Sequence, residues 1–144
     1  MVDGLITIRS NFGPDETMNR FEAVVRSKGM TVFAHVDHSA GAAAVGLPLP
    51  QTDLIIFGNA QAGTPLMQSV QTIGVDLPLK ALVWQDEAGT TWLSYSDPDW
   101  IAARHAGRLG NNTTIIEVMR GTLRAIANTA IGSTEPGQTG GTAS

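Results

Sequence analysis

Leu79-Lys80-Ala81-Leu82-Val83-Trp84-Gln85, then Asp86-Glu87-Ala88-Gly89, then Thr90-Thr91-Trp92-Leu93-Ser94-Tyr95-Ser96 is the stretch that decides the fold class. Two runs rich in aromatic and β-branched residues flank a short segment of turn-forming residues, the pattern of a β-hairpin. A hairpin is antiparallel by construction, so a mainly antiparallel sheet is expected. A doubly wound Rossmann sheet is the runner-up, and no G-x-G-x-x-G follows any strand to support it. Side chains alternate along a strand, so Lys80, Leu82 and Trp84 share one face, opposite Leu79, Ala81 and Val83.

Upstream of the hairpin, three further strands are predicted at Gly4–Arg9, Met30–Asp37 and Asp53–Phe57. In the second, Val32, Ala34 and Val36 are expected on one face, with Phe33, His35 and Asp37 on the other. Helices are predicted between strands. Pro14 suits a first turn, Asp15 and Glu16 complement its positive end, and the stripe Met18, Phe21, Val24, Val25 runs on to Lys28 before Gly29. His38–Gly46 reads as a short helix or tight loop. Gly58–Gly63 reads as a flexible turn, with Thr64 as N-cap and Pro65 at the first position of a helix reaching Ile73.

Downstream, Asp97-Pro98 repeats the cap-and-proline device and opens a short helix through Arg104. Thr114-Ile115-Ile116-Glu117 is a capping box for a last helix reaching Thr129. The order β-α-β-(α)-β-α-β-β-α-α, with few strands, predicts an α+β fold: a two-layer α/β sandwich. It has a mainly antiparallel sheet of about five strands and helices on one face. Residues 1–132 form one domain; residues 133–144, poor in bulky apolar side chains, read as a disordered or vector-derived tail.

Composition narrows the function classes. The chain has 144 residues, 42% of them hydrophobic and 15% charged, and a net charge of −4. Nine Lys+Arg without a basic cluster argue against a nucleic-acid partner. With no cysteine, thiolate metal sites, disulfides and cysteine nucleophiles are excluded. No apolar run reaches the length of a membrane span, and Met1–Ser10 does not resemble a signal peptide. A soluble cytoplasmic protein is expected, or a periplasmic one if a leader has been removed.

Several segments then add up to a family pattern. These are Asp37-His38 with the Ala/Gly run after it; Leu54-Ile55-Ile56-Phe57-Gly58-Asn59; Gly63-Thr64-Pro65-Leu66-Met67; Asp76-Leu77-Pro78-Leu79-Lys80-Ala81-Leu82-Val83-Trp84; and Tyr95-Ser96-Asp97-Pro98. Together, over Leu5–Gly107, they resemble the bacterial family of domains of unknown function numbered 302. Ala60 departs from the proline usual in that family after Phe-Gly-Asn. The resemblance implies a small two-layer α/β domain that tends to dimerise, with no assigned activity.

Five residues are candidates for contact with a ligand: His38, Asn59, Lys80, Tyr95 and Asp97. His38 follows Asp37, whose carboxylate could orient an imidazole; the plain alternative is a loop histidine bonded to backbone. Asn59 lies in a glycine-rich turn before a helix, which could cradle an anion but lacks the lysine and spacing of a P-loop. Lys80 interrupts an apolar strand and either snorkels over Trp84 or faces an anion. Tyr95 ends the last strand, and Asp97 before Pro98 is most simply an N-cap. His35 is expected to face solvent or a dimer partner, and His105 to cap a helix C-terminus.

No metal site is predicted, because three histidines at this spacing and no cysteine are too few ligands. No cofactor is predicted; haem, needing one or two axial ligands, is the alternative. No G-x-S-x-G elbow is present. Two readings follow: a homodimeric module binding a small ligand or partner, or an enzyme or haem/cofactor-binding protein using His38 with Lys80, Tyr95 and Asp97. Convergence of those four residues in one cleft would favour the second.

Overall fold

The computed structural model describes residues 2–105 and 112–133. Five strands, β1 (Leu5–Arg9), β2 (Thr31–Asp37), β3 (Thr52–Gly58), β4 (Leu79–Gln85) and β5 (Thr91–Ser96), form one sheet in the order β1-β5-β4-β3-β2. Every neighbouring pair is antiparallel. The helices are α1 (Pro14–Ser27), α2 (His38–Ala44), α3 (Ala60–Ser69), α4 (Pro98–Arg104) and α5 (Thr113–Ile131), with a 3-10 turn at Gln71–Val75. The α+β sandwich expected from the hairpin is therefore the observed architecture. The proposed tail beyond Ser133 lies outside the described residues.

Alternation along β4 and β5 builds the core. Leu79, Ala81, Val83, Leu93 and Tyr95 point to the helix side with Ile55 and Phe57, and all are buried. Against them pack Met18, Phe21 and Val25 of α1 and Ile116, Met119, Leu123 and Ile126 of α5. Phe21 meets Phe57 edge to face, centroids 5.2 Å apart, the arrangement that ring quadrupoles favour. The opposite face carries Lys80, Leu82 and Trp84, aligned with Ile56, Leu54 and Thr52 of β3.

Three local expectations are corrected. The alternation predicted for β2 is broken by a β-bulge between Val32 and Ala34. One extra residue shifts the pleat, so Val32, opposite Phe57, and His35, opposite Ile55, both face the helices. His35 accordingly lies on the α1 side, its Nε2 2.7 Å from Glu22 Oε1, while its side chain stays 43% exposed to solvent.

Helix α3 begins at Ala60, not Pro65, because the Asn59 side chain accepts a hydrogen bond from the Gln61 N–H at 2.8 Å and caps the helix earlier. Pro65 lies inside α3, which stops at Ser69; Ile73 is buried in the separate 3-10 turn. Helix α5 begins at Thr113 rather than in the capping box, with no side-chain cap. Asn112 instead donates its Nδ2 to Pro65 O at 3.0 Å and to Ser69 Oγ at 2.6 Å, fastening α5 to α3.

Candidate functional site

At the end of the sheet formed by Gly58 and Leu79, α3 and α5 stand apart and leave a cleft of about 610 Å³. Its apolar walls come from four stretches: Met30 and Phe33; Ala62 and Met67; Leu77, Pro78 and Leu79; and Ile115, Val118 and Met119. Phe33, the unpaired residue at the bulge, borders this cleft and stays exposed. The polar lining among the described residues is Lys28, Asn59, Gln61, Thr64, Thr114 and Thr122, of which Lys28 alone is ionisable. A volume of this size, apolar walls and a few polar groups are the attributes of a small-molecule site.

A second, shallower recess of about 420 Å³ lies at the other end of the sheet between Arg9, Asn11, Gly13, Gln85 and Thr90. Its lining is mostly polar, with Phe12 and Ala88 as the apolar members.

The sequence candidates do not converge. His38 is the first residue of α2, at the sheet end marked by Asp37 and Gln85, and is exposed. The Asp37 carboxylate accepts from Ala40 N–H at 2.9 Å and Ser39 Oγ at 2.7 Å, so it caps α2 instead of orienting His38. Those two bonds hold the Asp37 carboxyl below its ordinary value. Lys80 lies at the opposite end of the sheet, on the open face, and donates to Pro78 O at 3.2 Å. Tyr95 is buried on the helix face, where desolvation first and the Asp97 charge second raise its phenol and keep it neutral. Asp97 caps α4, accepting from Asp99 N–H at 2.9 Å. Of the five, Asn59 alone borders the cleft.

One side-chain chain went unread in the sequence. Thr72 Oγ1 is 2.9 Å from His105 Nδ1, His105 Nε2 is 2.6 Å from Asp76 Oδ2, and Arg104 donates to Asp76 Oδ1 at 2.7 Å. A hydroxyl, an imidazole and a carboxylate in series are the parts of a proton relay. Neither recess includes any of these residues, and the chain ties the 3-10 turn to the end of α4. Among the described residues no cluster of three or more His, Asp or Glu could hold a metal ion.

Comparison with known proteins adds the lineage. The family model described as "Domain of unknown function DUF302" matches residues 6–129. The chain belongs to the DUF302 family. A crystal structure of an uncharacterised conserved DUF302 protein from Bacillus stearothermophilus superposes with a TM-score of 0.79, covering 90% of this chain and 99% of that one at 19% identity, which establishes the shared fold. Among curated proteins, this DUF302 chain is 50% identical over 119 residues to "Fluoride-specific ion channel FluC 1" of Brucella suis biovar 1. It is 50% identical over 119 residues to the protein of that name from Brucella abortus biovar 1. The match takes 83% of this chain in both, and 47% and 44% of those proteins, so the chain spans a little under half the length of these curated relatives. Among the described residues of this DUF302 domain, no helix is long and apolar enough to cross a membrane.

Proposed function

We propose that this domain is a binding module that takes a small, largely apolar ligand in the cleft between α3, α5 and the sheet end, and works as a homodimer. The observation that carries the reading is the cleft itself. It is large enough for a ligand, walled by apolar side chains and, among the described residues, bordered by no acid–base pair. His38, Lys80, Tyr95 and Asp97, which an enzyme or haem protein was expected to bring together, stand at different ends and on different faces of the sheet. Self-association is supported by the open face, where Leu54, Leu82, Trp84 and Trp92 lack a helix layer. A cytoplasmic location belongs to the same proposal, and cell fractionation tests it. Titration with a neutral apolar fluorophore tests the ligand reading: saturable binding at one site per chain supports it, and absence of saturable binding overturns it.

A second reading rests on the relatives named as fluoride-specific ion channels, in which about half the length matches this domain. In it, the domain modulates a channel half with which it is covalently or physically associated. Fluoride efflux from vesicles containing the Brucella suis relative, with and without its matching half, decides this. A changed efflux supports modulation; identical efflux removes it.

A further inference from the structure

The charge around the cleft restricts what it can hold. The chain carries thirteen Asp+Glu against nine Lys+Arg. Yet among the described residues no carboxylate borders the cleft, and Lys28, just beyond the end of α1, is the one charged residue of its lining. Lys28 forms none of the ion pairs among the described residues. Its ammonium therefore has three donors available to a ligand. Asn59, Gln61 and Thr64 supply neutral polar atoms along α3, with the Asn59 oxygen already used in capping.

The remaining walls are long and conformable. Three of the five methionines of the chain, Met30, Met67 and Met119, line the cleft beside Phe33, Leu77 and Ile115. Unbranched thioethers adapt to flexible chains better than branched aliphatics do. Space around Gly63, where an added Cβ would stand 3.7 Å from Leu77 and 3.9 Å from Met67, keeps this side of α3 open.

From these observations, and resting on the ligand-binding reading above, we infer that the cleft binds a single-chain amphipathic carboxylate, a free fatty acid, with its head at Lys28 and its tail among the methionines. A neutral ligand would leave the ammonium unused, and a cationic one would meet it at close range. Sugar-like ligands would find too few polar groups along these walls.

Calorimetric titration of the full chain with octanoate, decanoate, dodecanoate and dodecanol tests the assignment. Affinity should rise about two- to fourfold per added methylene, and dodecanoate should bind at least about tenfold tighter than dodecanol. Lys28→Ala, an exposed change, should abolish that preference while leaving dodecanol binding intact. Equal affinity for dodecanoate and dodecanol overturns the inference and leaves the apolar cleft standing. Failure of both to bind overturns the ligand-binding reading as well. Sedimentation with phosphatidylglycerol vesicles, without binding of monomeric dodecanoate, would assign the acidic group to a lipid surface and also overturn it.

Discussion

Trp84 and Trp92 stand opposite one another on β4 and β5, ring centroids 6.1 Å apart and planes inclined by 27°. Each indole N–H is bonded within the sheet's own surroundings: Trp84 Nε1 donates to Ser94 Oγ and Trp92 Nε1 to Asp86 Oδ2, both at 2.9 Å. With their polar atoms so satisfied, the two rings present an apolar platform on the face that the helices leave bare. A two-fold pairing of such faces would cover both copies at once. If the proposed dimer forms, the unmodified protein should show a dimeric mass and Trp84→Glu a monomeric one with the fold intact, read by light scattering at micromolar concentration. A monomeric mass for the unmodified protein removes the dimer and this role for Trp84.

Gly121 lies on the exposed side of α5, and a Cβ added there would meet nothing within 4 Å. Glycine inside a helix costs about 0.5–1 kcal/mol relative to alanine through backbone entropy. Gly121→Ala should therefore stabilise the domain by about that amount, raising the thermal midpoint by roughly 1–8 °C. A lower midpoint would show that this face of α5 is covered by something in the assembled protein.

Gly132 tests the opposite case. Its φ of +90° ends α5 in the left-handed region, and an added Cβ would stand 2.8 Å from the Phe12 ring. Gly132→Ala should cost at least about 1 kcal/mol, since strain and overlap add. Denaturant unfolding measures it, and an unchanged midpoint would contradict the packing of Phe12 against this helix end.

The fold was legible where its signals were local. The hairpin joins contiguous strands through a turn whose Asp86 and Gly89 announce it, and Asp97-Pro98 caps α4 as its chemistry predicts. Local signals also misled where two were available. Thr64-Pro65 reads as a helix start as well as Asn59 does, and only the coordinates show that Asn59 caps first. The bulge at Val32–Ala34 leaves no mark on the alternation, so the sequence does not reveal which face His35 takes, although His35 is exposed as expected. The cleft was hidden for a different reason. Its walls come from separated stretches, and Met67, Leu77 and Ile115 look like ordinary core residues until the fold gathers them around one space. The Thr72–His105–Asp76 chain joins residues 29 and 33 positions apart, beyond any spacing rule.

Asp86 supplies the pH dependence. Its carboxyl is held below the ordinary range, chiefly by the hydrogen bond from the Trp92 indole and then by that from the Thr90 N–H, against desolvation. A depressed folded value means the stabilisation is complete above the unfolded value, about 3.9, and is lost as pH falls through the folded value. Asp86→Asn should therefore lower the thermal midpoint at neutral pH, and the gap should close as both proteins are taken below about pH 4. A gap that stays constant with pH would show that the charge of Asp86 contributes nothing to the hairpin.

The central claim, that the space between α3 and α5 is a ligand site, is tested most directly by a fluorophore titration of variants on the two sides of the sheet. Val118 lines the cleft and is 62% exposed, so Val118→Glu places a charge among the apolar walls without disturbing the core. Trp84→Glu alters the open face instead. The neutral probe N-phenyl-1-naphthylamine should bind saturably to the unmodified protein and to Trp84→Glu, and at least about tenfold more weakly to Val118→Glu, since a probe seated there would strip water from the new carboxylate. Probe binding that survives Val118→Glu but disappears in Trp84→Glu would place the apolar site on the sheet face and contradict the account.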